Sequence, residues 1–212
     1  MSTSNLNNIL FYHWQEITQP FNVDLVIANQ IFADLILAYS QPHRYYHTLQ
    51  HIHSVLTTID MLKMYVEDLS TVKLAVWFHD LVYDTHAKNN EEKSAEYAGE
   101  MLKKLALNYN KIEKIQQLIL ATKNHQADDI DSQVLLDADL GIFAADKIQY
   151  QEYVQAIRQE YAWVADVEYI KGRRMILTKF LQRPSIYFTP LMLESSEELA
   201  RLNIQAELDI NN

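Results

Sequence analysis

Apolar residues recur every three or four positions over most of this chain, which is the spacing of one face of an α-helix. Val23, Ile27 and Ile31 follow this period in the first such stretch, and Pro42 lies just beyond its end. The pattern predicts helices over residues 22–39, 46–63, 70–78, 91–105, 110–122, 132–140, 147–163, 172–181 and 193–207. The hydrophobic pattern therefore favours a chain that is nearly all helix.

Composition agrees with an all-α fold. Only 3 Gly and 4 Pro occur in 212 residues, which leaves little turn chemistry for a many-stranded sheet. A chain of this length can bury a sizeable core as one large domain and does not require a second. We expect a single helical domain over residues 1–212.

Charge and residue content narrow the possible functions. The chain has 18 basic and 28 acidic residues, and its formal net charge of -10 disfavours duplex nucleic acid as a ligand. Because there is no cysteine, any metal must be held by histidine and carboxylate groups. Residues 1–19 lack a basic region followed by an apolar core, and no long uninterrupted apolar run occurs elsewhere. We expect no membrane association and a cytoplasmic location; the sequence does not specify an oligomeric state.

Four ionisable residues lie inside otherwise apolar runs: His51, His79, Asp80 and Asp139. Burying an uncompensated carboxylate costs several kcal/mol, and the runs 74–83 and 134–143 contain no Lys or Arg that would neutralise one. A divalent cation bound by all four residues would compensate them together. Histidine and carboxylate ligands suit Mn, Mg, Co, Ni, Fe or Zn.

His47 lies four positions before His51, so the two would share a face if both were on one helix. One could then hold a metal while the other points past it, and His43 could join the same face. His53 is rotated by about 200° from His51 and should point elsewhere. A single histidine is more often an ordinary core or surface residue, and only the whole set favours a metal site.

The order of a His, an adjacent His-Asp pair and a distant Asp resembles the signature of the HD superfamily of metal-dependent phosphohydrolases. The motifs at 42–52, 77–84, 90–95 and 135–140 resemble a bacterial branch described as predicted metal-dependent HD phosphohydrolases. The resemblance covers residues 20–207 and implies an HD-domain-like helical bundle. The metal ligands it implies are His51, His79, Asp80 and Asp139. It also implies attack of a metal-activated hydroxide on a small phosphate ester, such as a nucleotide.

A second resemblance concerns the role of His47. Residues 46–51 are similar to the Tyr-His-Asn-x-x-His segment of class I cyclic nucleotide phosphodiesterases, in which the first His protonates the leaving oxygen and the second binds metal. This resemblance implies His47 as the proton donor and His51 as a metal ligand. We expect Asp80 to be the other catalytic residue. The sequence departs from that family at Thr48, where an Asn is usual, and at Lys123, where an acidic residue is usual.

Other polar residues near these motifs are further candidates. Asp137 lies two positions before Asp139 and so on a different helical face, and we interpret it as a supporting group or a cap. The polar stretch 83–90 is typical of a surface loop. Candidates for orienting water, binding phosphate or holding a second ion are Asp84, Asn90, Glu92, Lys123, His125, Arg44, Arg173 and Arg174.

Two other functions are compatible with the same residues. A non-catalytic module could keep the metal structurally or sense a nucleotide, and it would tolerate replacement of His47 and Asp80. A di-iron oxygenase is the other alternative, because some HD proteins with additional histidine ligands perform redox chemistry, and His125 could supply one.

Overall fold

The computed structural model describes residues 3–210, so residues 1–2 and 211–212 of the predicted domain lie outside it. The described residues form eleven α-helices: α1 (Thr3–Thr18), α2 (Leu25–Tyr39), α3 (Leu49–Leu62), α4 (Leu69–Phe78), α5 (Asn90–Lys104), α6 (Tyr109–Thr122), α7 (Ile130–Asp139), α8 (Lys147–Glu160), α9 (Asp166–Leu181), α10 (Pro190–Ser195) and α11 (Glu197–Ile210). No strand occurs within this range. The predicted all-α class is therefore confirmed.

Helix α4 lies at the centre of the core. Leu74, Val76 and Trp77 are fully buried, and the helix contacts α1, α3, α5, α6 and α7. A short helix that is buried on nearly every side is stable only when other helices cover it. The C-terminal end of α4, where His79 and Asp80 follow, is thereby held inside the molecule.

Helix α1 is absent from the set that the hydrophobic pattern predicts. Leu10 and Trp14 on this helix are fully buried. The Trp14 ring meets Trp77 edge to face with ring centroids 5.8 Å apart, and its Nε1–H donates to the carbonyl of Ala28 at 3.0 Å. These contacts with α4 and α2 show that α1 belongs to the same core.

Several helix ends differ from the predicted ones. The prediction places His47 on the same helix as His51, but α3 begins at Leu49 and His47 lies before it. The backbone of Thr48 is extended, with φ of -117° and ψ of -178°, so the helix can begin only after it. Glu160 accepts the backbone N–H groups of residues 45–47, just before this break. The predicted helix 147–163 ends at Glu160, α9 begins six residues earlier than predicted, and residues 190–210 form two helices.

Within the described residues, no helix combines the length and the apolar character needed to cross a bilayer.

Candidate metal centre

The predicted ligands come from three helix ends. His51 lies in the first turn of α3, His79 directly follows α4, and Asp139 is the last residue of α7. The three helices contact one another, which brings these ends to one place. The two histidines are buried, at 5% and 1% exposure.

The donor atoms of this cluster face each other closely. The Nε2 atoms of His51 and His79 lie 3.2 Å apart, and Asp139 Oδ1 lies 3.3 Å from the first and 3.5 Å from the second. All three ligand atoms lie within 4.8 Å of one another. Such a buried set of two imidazoles and a carboxylate could hold a metal ion.

Asp80 lies beside these three residues. Its Oδ2 is 3.0 Å from His79 Nε2 and 3.6 Å from His51 Nε2. Asp80 is not one of the three residues whose ligand atoms all lie within 4.8 Å of one another, but it contacts both histidines. The structure therefore brings all four predicted ligands together, with Asp80 at the edge.

The hydrogen bonding of His79 suits a ligand. Its Nδ1 lies 2.8 Å from the carbonyl oxygen of Val76, which can only accept, so Nδ1 carries the proton. In the neutral imidazole this leaves the lone pair on Nε2, the atom that faces His51 and Asp139. Neutral histidine nitrogen and carboxylate oxygen are the donors that divalent transition metals prefer. The residues present therefore fit a divalent ion.

The carboxylates and imidazoles of the cluster lie close enough to shift one another's pKa values. Burial alone would lower the pKa of His79, but the carboxylates of Asp80 and Asp139 outweigh it and raise that pKa well above its usual value. Burial would raise the pKa of Asp139, but hydrogen bonds from the surrounding histidines hold it well below its usual range. For His51, burial dominates and lowers the pKa. The two carboxylates thus stay ionised where positive charge stabilises them.

His47 reaches the cluster from the segment before α3. Its Nε2 lies 3.9 Å from Asp80 Oδ2, and its Nδ1 donates to Glu160 Oε2 at 2.7 Å. Burial alone would lower the pKa of His47, but Asp80 and Glu160 outweigh it and raise the pKa. His47 therefore has a raised pKa, and its Nε2 lies on the side of Asp80.

Glu160, at the end of α8, is a site residue that the sequence analysis does not predict. Its Oε1 accepts three backbone N–H groups, and its Oε2 accepts from His47 and from the hydroxyl of Tyr83 at 2.7 Å. Burial would raise the pKa of Glu160, but these hydrogen bonds hold it at about 2. A buried, ionised carboxylate thus fixes both the backbone and the imidazole of His47.

His125 lies on the other side of Asp139. Its Nε2 is 3.5 Å from Asp139 Oδ2, the oxygen that does not face His51 and His79. The residue has a φ of 50°, in the left-handed region that non-glycine residues rarely adopt. The predicted candidate His125 is therefore brought into the site, beside the shared carboxylate.

Two candidate arginines are held by other groups. Arg44, considered for phosphate binding, is buried and donates to the carbonyls of His47, Asp80 and Leu81 at 2.7–3.1 Å. It fixes the backbone around the site and is not placed to neutralise phosphate. Arg173 forms a buried ion pair with Glu207.

Arg174 and Asp137 have roles away from the cluster. Arg174 donates to the carbonyl of Leu208 at 3.1 Å. Asp137 accepts from the backbone of Phe188 and from the backbone and hydroxyl of Thr189 at 2.6–2.8 Å. Asp137 therefore holds the segment before α10, and none of these contacts is to a candidate ligand.

The remaining polar candidates belong to the loop between α4 and α5 and its neighbours. Within the loop, the backbone N–H of Asp84 donates to Oδ1 of Asn90, and the side-chain NH₂ of Asn90 donates to the carbonyl of Asp84. Glu92 forms an ion pair with Lys123, whose ammonium also donates to the carbonyl of Lys88 at 3.0 Å. His43 is exposed, and its Nε2 lies 3.2 Å from the carbonyl of Tyr83, so it does not join His47 in the site.

A cavity of about 650 Å³ adjoins the cluster and is lined by His47, His79, Asp80 and Asp139. His79, Asp80 and Asp139 are therefore accessible from the cavity, which a purely structural ion does not require. Comparison of the chain with protein-family models, with curated proteins and with solved structures gave no match. The resemblance to HD phosphohydrolases therefore stays a prediction from the motifs.

Proposed function

We propose that this protein is a metal-dependent phosphohydrolase that acts on a small phosphate ester, such as a nucleotide. One observation carries the proposal: the His51, His79 and Asp139 cluster opens onto a cavity beside a histidine with a raised pKa. The motif resemblance supports the choice of a phosphate ester. The geometry alone supports an ion and a proton donor.

The ion would be held by His51, His79 and Asp139, with Asp80 beside them. A divalent ion there supplies Lewis acidity, which lowers the pKa of water and offsets charge on a phosphoryl group. Mn, Mg, Co, Ni, Fe and Zn all suit these donors.

His47 and Asp80 would act on the reacting atoms. Water oxygen bonds to phosphorus as the ester P–O bond breaks, and the departing alcohol takes its proton from Nε2 of His47. The water's proton passes to solvent, from which His47 is protonated again, and inorganic phosphate is released. Asp80, between His47 and the cluster, accepts a hydrogen bond from the attacking water and orients it.

The test replaces His47 and measures turnover and metal content separately. The protein is loaded with each of the six ions and assayed on a panel of phosphomonoesters and cyclic nucleotides. His47→Asn should lower kcat by about 10²–10⁴, the usual contribution of a general acid, and leave the metal content unchanged. His53→Asn is the matched control, because His53 lies on α3 outside the site.

Two results would contradict the proposal. If the loaded wild-type protein cleaves nothing in the panel but binds one of its members, the protein is a binding module. If His47→Asn keeps full turnover, His47 is not the proton donor.

A di-iron oxygenase is a second candidate. It is favoured by the contact of His125 with Asp139 Oδ2, the oxygen that does not face His51 and His79. Its test is iron quantitation in the protein as purified. About two iron ions per chain with oxygen consumption would favour it, and one ion or none would favour the hydrolase.

A further inference from the structure

Four aromatic side chains form a continuous wall of the cavity beside the metal cluster: Tyr46, Tyr153, Phe143 and Phe180. Centroids of neighbouring rings lie 4.7 Å apart for the two tyrosines, 6.2 Å for Tyr153 and Phe143, and 5.1 Å for the two phenylalanines. We call these residues the aromatic wall. Its rings come from the segment before α3, from the turn after α7, and from α8 and α9.

The aromatic wall runs along the candidate metal centre from one side to the other. At one end the Tyr46 ring lies 4.9 Å from the ring of His51. At the other end the Phe180 ring lies 5.5 Å from His125, which contacts Asp139. A molecule with its phosphoryl group at the cluster therefore has the rest of its body against aromatic rings.

The charged side chains that line the cavity do not favour a polyanion. The cationic ones are Lys88, Lys123 and Arg173, and the carboxylates are Asp80, Asp139, Glu91 and Glu168. Two of the three cations are already paired, Lys123 with Glu92 and Arg173 with Glu207. Among the lysines and arginines that line the cavity, this leaves Lys88 as the one side chain outside an ion pair.

A divalent ion would balance the carboxylates of Asp80 and Asp139 and leave little positive charge for the ligand. A triphosphate carries about four negative charges at neutral pH, and each buried charge needs a partner. Glu91 and Glu168 would repel the outer phosphoryl groups. A single phosphoryl group, by contrast, can be balanced by the ion and by Lys88.

We infer that the ligand of this cavity carries one phosphoryl group joined to a planar aromatic group. The inference rests on the proposed function for the phosphoryl group, whereas the aromatic part and the limit to one phosphoryl group come from the cavity itself. Offset and edge-to-face contacts with the aromatic wall would bind the flat ring. Nucleoside monophosphates and simple aryl phosphates both have this chemistry.

Affinity measurements test the inference without requiring turnover. Uridine 5′-monophosphate, ribose 5-phosphate, uridine 5′-triphosphate and phenyl phosphate are titrated calorimetrically into the metal-loaded full chain at one free-ion concentration. The monophosphate should bind at least tenfold more tightly than ribose 5-phosphate, which lacks the ring, and at least tenfold more tightly than the triphosphate. If phenyl phosphate binds as tightly as uridine 5′-monophosphate, the cavity recognises the aromatic ring alone. If it binds more weakly, the cavity recognises the whole nucleoside.

A substitution in the aromatic wall tests whether its residues cause the preference for uridine monophosphate over ribose 5-phosphate. Phe180→Leu should reduce the affinity ratio of uridine monophosphate to ribose 5-phosphate at least threefold. Phe11→Leu is the matched control, because the Phe11 ring packs on Phe32, away from the cavity, and its ratio should equal that of the wild type. An equal ratio in Phe180→Leu and the wild type would overturn the role of the wall.

The inference and the proposed function fail in different ways. The inference would be overturned if the affinity for ribose 5-phosphate lay within threefold of that for uridine monophosphate. It would also be overturned if the triphosphate bound most tightly. Neither result depends on turnover. Binding with the expected preference but without hydrolysis in any metal-loaded form would overturn the hydrolase proposal and leave the inference standing.

Discussion

At the scale of single residues, one carboxylate holds His47, the proposed proton donor, in place. Glu160 accepts five hydrogen bonds, three from the backbone before α3 and two from the side chains of His47 and Tyr83. A carboxylate on Nδ1 fixes the orientation of an imidazole and stabilises its protonated form. If the proposed function holds, Glu160 is a positioning residue that acts through His47.

Glu160→Gln tests this role. The amide keeps the shape but places an NH₂ group or a neutral oxygen where Oε2 now accepts from His47. Because the Glu160 charge helps to raise the pKa of His47, its loss lowers that pKa. A general acid is active below its pKa, so the alkaline limb of the kcat–pH profile should move to lower pH, with kcat at neutral pH reduced about tenfold or more.

The control for this variant lies on the same helix. Glu152 is exposed on α8, and Glu152→Gln should leave the pH profile and kcat at the wild-type values. Metal content, measured by elemental analysis, should be equal in all three proteins. An alkaline limb that stays in place in Glu160→Gln would contradict the positioning role.

The sequence predicts the candidate ligands better than it predicts Glu160, the residue that holds His47 beside them. His51, His79 and Asp139 stand out because each is ionisable inside an apolar run, and that is a local signal. Glu160 lies 113 positions from His47 and occupies an ordinary amphipathic helix, so nothing local marks it. Residues whose role depends on a distant partner require the tertiary structure.

At the scale of elements, the start of α4 depends on a cap that joins two helices. Asp68 Oδ1 accepts the backbone N–H of Thr71 at 3.1 Å, and its Oδ2 accepts from the ammonium of Lys111 on α6 at 2.6 Å. Partial burial would raise the pKa of Asp68, but the hydrogen bonds from Lys111, Ser70 and Thr71 hold it well below its usual range. The ionised form of Asp68 therefore stabilises the fold.

Asp68→Ala should lower the free energy of unfolding by about 1 kcal/mol at pH 7, the usual effect of losing an N-cap. The folded-state pKa is depressed, so this contribution is present above about pH 4, the unfolded value, and is lost as the pH falls towards the folded value. The difference between wild type and variant should therefore shrink below pH 4. Urea unfolding at several pH values measures it.

A second aspartate provides the comparison. Asp34 on α2 accepts one exposed hydrogen bond, from Gln30, and caps no helix. Asp34→Ala should change the free energy of unfolding by less than about 0.5 kcal/mol at every pH. A difference for Asp68→Ala that is constant from pH 7 to pH 3 would show that the charge of Asp68 contributes nothing.

Helix existence is easier to predict than helix ends. The period of apolar residues predicts α2 to α9 and most of α11, because their apolar residues recur at helical spacing. The segment before α3 is held by Glu160, and the burial of α1 depends on the contact of Trp14 with Trp77. Both are long-range contacts that a periodic pattern does not contain.

At the scale of the whole molecule, the candidate ligands connect parts of the chain that are far apart in sequence. His51, His79 and Asp139 each lie at the end of a different helix, and the core around α4 holds these three ends together. In the unfolded chain the three residues are dispersed. An ion that binds them should therefore favour the folded state over the unfolded one.

Thermal unfolding tests this link between the ion and the fold. At a free-ion concentration of about 100 Kd, binding to the folded state alone adds about 2.7 kcal/mol. For a chain of this size that corresponds to a rise in Tm of about 5–10 °C with Mn²⁺, reversed by a chelator. His51→Asn should lose most of the rise, because it removes a central ligand. His53→Asn, two residues along the same helix, should keep it; an equal rise in both variants would place the ion elsewhere.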